Sequence, residues 1–239
     1  MGIPFLLDDR LAAMGIRKEI FWCPDTAPHA LIVGATGSGK SYCCQLLLGK
    51  ISIYEPTAKI TVLDYKGDRD MNYLSGCERF KRYSECCEGL EQFYQAFLAR
   101  QSGEDTSRAP LFLYFDEFSS YFNNIEDKKI LEQEKRKFAT ILFLGRSFRV
   151  FLICSCQRAD AAYFSNGARD NFNLVIGLSN MSSEAQTMLF HEYKSELKPD
   201  RGRGTGYMLT NGCNLQAVRV PSVNNIEKLH TAIKQAVTR

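Results

Sequence analysis

The sequence predicts an α/β protein with a mainly parallel sheet, helices on both faces and a C-terminal β-hairpin. Apolar runs of strand length alternate with amphipathic helical stretches, and parallel neighbours need such crossovers. The runs 110–115 and 150–154 are continuously apolar, as is typical of strands covered on both faces. The length of 239 residues favours one domain, with residues 1–27 as a lead-in and 28–239 as the core.

The first half of the chain predicts a strand, helix, strand unit that is followed by a second helix and strand. Leu46, Leu47 and Ile51 recur at helical spacing, whereas the run 59–63 is short and apolar and ends at Asp64. The predicted elements are strands at 30–33, 59–63 and 110–115 and helices at 42–51 and 84–100.

The second half continues the alternation and closes with a hairpin and a helix. Asn211-Gly212 lies between two strand-like runs, and this dipeptide favours a tight turn. Gly145 is placed to end a long charged helix, and the last helix has one apolar stripe. The predicted elements are helices at 130–143, 182–190 and 226–237 and strands at 150–154, 174–177, 206–210 and 215–220.

A glycine-rich segment stands between the first core strand and its helix. It reads GATGSGKS, which is the spacing of a nucleotide-binding P-loop. Glycines let backbone N–H groups curl around phosphate oxygens, and the helix N-terminus favours the same anion. We therefore expect ATP to bind at Gly34, Ala35, Thr36, Gly37, Ser38, Gly39, Lys40, Ser41 and Tyr42.

Polar residues follow the ends of several predicted strands, and ligands collect at the carboxyl ends of parallel strands. Lys40 suits the β and γ phosphates, and the Ser41 hydroxyl and Asp116 suit Mg²⁺. The adjacent Glu117 suits a base that activates water, so the pair predicts hydrolysis. Gln157 either senses the γ phosphate or is a solvated glutamine.

Other residues near this edge have open or structural interpretations. The segment 64–68 either lines the site or only turns the chain. The nine cysteines form no C-x-x-C pair, so we expect reduced and mostly buried thiols. The three histidines share no metal-ligand spacing and are expected to pack or to lie at the surface.

Composition leaves the partner open. A net charge of +3 is too small to indicate an anionic partner by itself. No apolar run approaches the ~20 residues of a membrane span, and the first residues do not match a signal peptide. We therefore expect a cytoplasmic protein with no direct membrane span.

Beyond the P-loop, four further segments resemble, in the same order, the motor domain of FtsK/SpoIIIE-type DNA translocases. The likeness begins at residues 28–41, which is longer than a generic P-loop, and it covers most of the chain. The other segments are 60–66, 115–118, 145–158 and 204–209.

The resemblance implies a RecA-like ATPase that assembles as a hexameric ring around double-stranded DNA. In such rings an arginine from the next subunit completes the transition-state charge. Gln186 stands where many translocases carry this arginine, so either Arg146 or another residue takes that role, or activation by the neighbouring subunit is altered; Arg149, Arg158 and Arg169 also lie near the strand 150–154. We expect no counterpart here of the family's membrane anchor, of its accessory domain before the motor or of its winged-helix tail. A membrane-anchored or DNA-processing protein is a further expected partner.

Three functions follow from these patterns. The leading hypothesis is an ATP-driven motor for DNA in transfer, segregation or packaging. The second keeps the motor but assigns it to a conjugation or protein secretion complex. The third is a nucleotide-dependent scaffold with little hydrolysis, which Gln186 suggests.

Overall fold

The computed structural model describes residues 2–158, 160, 163–199 and 201–239. Its described strands form one ten-stranded sheet in the order β2-β1-β10-β9-β8-β3-β7-β6-β4-β5. The strands are β1 Ile3–Asp8, β2 Glu19–Trp22, β3 Ala30–Gly34, β4 Lys59–Asp64, β5 Phe80–Arg82, β6 Leu111–Asp116, β7 Val150–Cys156, β8 Leu174–Leu178, β9 Thr205–Thr210 and β10 Asn214–Arg219.

Seven described α-helices flank the sheet, and several begin at side-chain caps. Asp127, Ser182 and Asn225 each accept a backbone N–H of the helix that they precede, as N-cap residues do. The helices are α1 Asp9–Ala13, α2 Lys40–Tyr54, α3 Glu85–Ser102, α4 Phe118–Asn123, α5 Lys128–Leu144, α6 Ser183–Phe190 and α7 Ile226–Thr238.

Six neighbouring strands, from β8 to β5, are parallel, which confirms the predicted fold class. Alternate residues of each strand enter one of two apolar clusters, one on each face. Ile32 and Phe112 pack with residues of α2 and α7, whereas Leu31 and Leu113 pack with residues of α3 and α5. Helices cover both faces because both faces of these strands are apolar.

The other end of the sheet is antiparallel and contains the predicted hairpin. Asn211 and Gly212 both have positive φ, at +52° and +68°, between β9 and β10. β1 then pairs with β10 and β2 pairs with β1. The sequence pattern predicts no element at residues 1–27, 80–82 or 118–123, where the structure has β1, α1, β2, β5 and α4.

Most cysteine side chains are at least half-buried, and one histidine is part of the core. All nine cysteines are free thiols, and five of them are buried. His29 is buried, and its Nδ1 accepts the Leu152 N–H at 3.0 Å, which joins the start of β3 to β7. Burial lowers the pKa of His29 to about 3, so the ring is a neutral acceptor.

Candidate functional site

The P-loop turns the carboxyl end of β3 into the first turn of α2, as the sequence predicts. Gly37 and Gly39 have φ of +83° and +93°, a region that side chains with a Cβ rarely adopt. Gly39 is the N-cap of α2 and offers no side-chain acceptor to the first helical N–H groups. The loop therefore presents backbone donors at a helix N-terminus, which is an anion-binding arrangement.

Lys40 meets two carboxylates that β6 delivers to the same edge. Its Nζ lies 4.0 Å from Asp116 Oδ1 and 3.5 Å from Glu117 Oε2. The three residues are 8%, 3% and 5% exposed, so all three charges are buried. Burial favours the neutral amine, but the charges of Asp116 and Glu117 outweigh this effect and raise the pKa of Lys40.

Asp116 is held in place by two hydroxyl groups, one on its own strand β6 and one on the neighbouring strand β7. Its Oδ1 accepts hydrogen bonds from the Tyr114 hydroxyl, at 2.9 Å, and from the Ser155 hydroxyl. The strand register places Asp64, Asp116 and Ser155 side by side on β4, β6 and β7. This row fixes one carboxylate oxygen and leaves the group facing Lys40.

Glu117 has a different environment although it is the next residue. Its φ is +52°, a strained value for a residue with a side chain. Oε1 accepts the Gln157 N–H at 3.2 Å and the Ser119 hydroxyl at 3.3 Å. The other oxygen, Oε2, is buried without a hydrogen-bond partner among the described residues, and Lys40 is its ion-pair neighbour. Such an orphaned acceptor at a P-loop is suited to a water.

The segment after β4 turns the chain and also reaches the P-loop. Asp64 accepts the N–H groups of Gly67 and Asp68, at 2.8 and 3.1 Å, and pairs with Arg82 at 3.0 Å. Asp68 Oδ2 in turn lies 3.5 Å from the Ser41 hydroxyl. Both interpretations of residues 64–68 therefore apply, one to Asp64 and the other to Asp68.

A loop before β9 packs directly on the P-loop. The Gly204 N–H donates to the Ser38 carbonyl at 2.9 Å. A Cβ on Gly39 would lie 3.3 Å from the Gly204 nitrogen and 3.7 Å from Arg203 Cγ. Arg201 is committed to Asp9 and Tyr207, but Arg203 is exposed. The sequence pattern does not predict Arg203 at this site, and its one signal is the neighbouring glycine turn at 204–209, which resembles the translocase motor.

The structure does not bring the side chains of three predicted site residues together with Lys40 and the two carboxylates. The Tyr42 hydroxyl accepts the Val223 N–H at 2.7 Å, so its side chain is tied to the segment after β10. Gln157 contacts Glu117 through its backbone, and its side chain is exposed. Arg146 precedes β7 and is exposed at the amino edge of the sheet, opposite the P-loop edge of its own chain.

The donor set at the P-loop fits magnesium with a nucleotide. Among the described residues no cluster of three or more His, Cys, Asp or Glu side chains could hold a metal ion. Mg²⁺ at phosphate sites needs only one or two protein oxygens, since phosphates and waters supply the rest. Ser41, with Asp116 across the site, provides oxygens of this kind.

The parallel sheet, the P-loop and the paired carboxylates define the class of RecA-like P-loop ATPases. The family model described as the central domain of helicase HerA matches residues 25–197. This is more than half of the chain, which therefore belongs to the family of the HerA helicase central domain.

One further protein resembles the chain in sequence, and two solved structures share its fold. The chain is 29% identical over 219 residues to the FtsK domain-containing protein YdcQ of Bacillus subtilis (strain 168), covering 84% of this chain and 45% of YdcQ. The cytoplasmic domain of the Type VII secretion ATPase EccC of Thermomonospora curvata superposes with a TM-score of 0.72 at 21% identity, over 99% of this chain and 31% of EccC. The pCW3 conjugation coupling protein TcpA, solved with ATPγS, superposes with a TM-score of 0.70 at 18% sequence identity. The match covers 90% of this chain and 64% of the TcpA chain.

None of the described helices has the length and apolar character that a bilayer crossing requires.

Proposed function

We propose that this chain is an ATP-hydrolysing motor domain of the FtsK/SpoIIIE type, which acts as a hexameric ring on double-stranded DNA in transfer, segregation or packaging. The observation that carries the proposal is the meeting of Lys40 with Glu117 at 3.5 Å beside a P-loop. A phosphate-binding cation and a carboxylate able to activate water then share one site. In this proposal the protein is cytoplasmic, and residues 1–239 form a single motor domain.

Each site residue has a defined role in this proposal. The P-loop backbone and Lys40 bind the β and γ phosphates, while Ser41 and Asp116 would hold Mg²⁺, which neutralises phosphate charge when bound. Glu117 orients a water and accepts its proton through Oε2, the oxygen without a hydrogen bond. Gln157 senses the γ phosphate after a rotation of its exposed side chain.

Two arginines complete the charge balance from different subunits. In this proposal Arg146 acts on a neighbour's nucleotide, and its place before β7, at the amino edge of the sheet, is on the side away from its own P-loop. Arg203 is a second cation for the phosphates of its own subunit. Its side chain passes beside Gly39, and no carboxylate of the described residues lies within 4.0 Å of its guanidinium nitrogens.

The test is ATP turnover of the purified chain at low salt, with and without duplex DNA. Low salt is used because contacts to DNA phosphates are strongest there. We expect DNA to accelerate turnover, since a DNA motor is most active on its substrate. Lys40→Ala is the control and should abolish turnover in both conditions. A rate that is indifferent to DNA would defeat the DNA motor.

A second candidate is an ATPase that energises a conjugation or protein secretion complex. The superposition on EccC at a TM-score of 0.72 favours it. DNA-independent turnover together with a copurifying protein partner would support this candidate. ATP binding without turnover in any condition would instead support a nucleotide-dependent scaffold.

A further inference from the structure

A charged cavity lies at the edge of the sheet opposite the P-loop. It has a volume of about 200 Å³ and opens beside α3 where β4 and β6 begin, at Lys59 and Leu111. Phe93 and Ala96 of α3 form part of its wall. Its charged lining consists of four cations and one carboxylate: Lys59, Arg79, Lys81, Arg100 and Asp105.

One of the four cations, Arg100, already has hydrogen-bond partners within the protein. Arg100 donates to Asp105 Oδ2 at 2.9 Å, to the Phe148 carbonyl at 2.9 Å and to the Ala109 carbonyl at 2.7 Å. This network ties the end of α3 to the segments that precede β6 and β7. Arg100 and Asp105 therefore neutralise each other and leave three cations on the cavity wall.

Arg79, unlike Arg100, has guanidinium nitrogens without hydrogen-bond partners among the described residues. Its Nε and Nη2 are buried, and neither has a hydrogen-bond partner among the described residues. Burial lowers the pKa of its guanidinium, and the charge of Glu78 offsets this only in part. Leaving buried guanidinium donors unpaired is costly, because desolvation is then not repaid.

The two lysines are also poorly neutralised. Lys81 Nζ lies 3.7 Å from Glu88 Oε1, whose side chain is 60% exposed, so the pair is weak. Lys59 is exposed and forms no ion pair within the described part of the chain. Four cations and one carboxylate line the cavity, and Glu78 and Glu88 offset the charges of Arg79 and Lys81 only in part, so an excess of positive charge remains that favours an anion.

We propose that this cavity binds a phosphoryl oxyanion through the Arg79 guanidinium, with Lys59 and Lys81 as flanking charges. The planar guanidinium presents parallel N–H donors that suit a phosphate group, and each lysine adds a point charge. Free phosphate and the phosphodiester of a nucleic acid share this chemistry. The site is separate from the P-loop, because it lies at the amino ends of β4 and β6.

The test is an NMR titration of the ¹⁵N-labelled chain with inorganic phosphate. The Arg79 Nε–H resonance, identified by its loss in Arg79→Lys, reports on the cavity, and the Gly37 amide reports on the P-loop. We expect both signals to move, with independent titration curves. An Arg79 signal that stays fixed while Gly37 is saturated, with duplex DNA also without effect, would overturn the proposal.

Two variants show whether the shift comes from the proposed site. Lys59→Gln should weaken phosphate binding at Arg79 about tenfold and leave the Gly37 curve unchanged, since one charge-assisted contact is lost. Lys129→Gln removes an exposed lysine of α5 and should change neither curve. Equal effects of the two variants would contradict the assignment.

A second titration with short duplex DNA separates the two sources of phosphate. Movement of the Arg79 signal with DNA identifies a backbone phosphodiester as the ligand. Movement with inorganic phosphate alone identifies a free anion. Either result supports the oxyanion site.

Discussion

At the scale of single residues, the site depends on a lysine that is buried between two carboxylates. A buried charge is stable only with partners, and Lys40 has Asp116 and Glu117 at 4.0 and 3.5 Å. The two carboxylates differ in how they are held. Asp116 is fixed by two hydroxyls, whereas Glu117 keeps one oxygen without a hydrogen bond among the described residues.

Glu117→Gln tests the proposed role of Glu117 as the base that activates water. The amide cannot accept the proton of water, so we expect ATP turnover to fall by about 100-fold or more while ATP binding is retained. Turnover and nucleotide binding are measured on the same preparations.

Glu134→Gln is the matched control, because Glu134 of α5 is also a buried glutamate but pairs with Tyr121 of α4 and Lys137 of α5. Its turnover should stay near that of the unchanged chain. Full turnover by Glu117→Gln would remove Glu117 as the base.

The residue types at the site were predictable, but their surroundings were not. The P-loop spacing and the acidic strand end identify Lys40 and Glu117 from sequence. Arg203 lies more than 160 residues from Lys40 in sequence, and it reaches the P-loop only because β9 lies beside β8 in the sheet. Arginine spacing alone carried no signal for that contact.

At the scale of elements, most strands and helices are predicted within a few residues because their apolar periodicity is strong. The exceptions are β1, α1, β2, β5 and α4, which the sequence pattern does not predict. β1 is a short apolar run that contains Pro4, which weakens a strand pattern. Its place in the sheet depends on the distant partner β10.

The β9–β10 hairpin permits a direct test of local backbone strain. Gly212 has φ of +68°, and a Cβ there would meet no atom within 4 Å, so Gly212→Ala isolates the strain of that conformation. We expect a loss of about 1 kcal/mol in the free energy of unfolding, measured with urea.

Gly202→Ala is the control for this substitution. A Cβ at Gly202 also meets nothing within 4 Å, and its φ lies outside the left-handed region. Its effect should stay within ~0.5 kcal/mol. Equal losses in the two variants would mean that backbone strain is not the cause.

At the scale of the whole molecule, the N-terminal strands and the parallel core share one apolar cluster. Trp22 of β2 packs edge-on against Phe112 of β6, with ring centroids 6.2 Å apart. Ile3 and Phe5 of β1 belong to the same cluster as residues of α2 and α7. Such continuity favours a single cooperative unit.

Unfolding should therefore occur in one transition for residues 1–239. Trp22 is the only tryptophan, so its fluorescence reports on β2, whereas circular dichroism reports on the whole chain. We expect the two denaturant curves to coincide, because β2 is docked on the core. Loss of the Trp22 signal at lower denaturant would show that the N-terminal strands form a separate unit.

The sequence by itself determined the P-loop, the succession of most strands and helices along the chain and the acidic end of β6. These features depend on local spacing and periodicity, which a single chain displays directly. Only the tertiary structure decided the 3.5 Å approach of Lys40 to Glu117, the loop of Arg203 against Gly39 and the cation-lined cavity around Arg79. Each of these needs strands distant in sequence to become neighbours, and strand order is set by packing of the whole sheet.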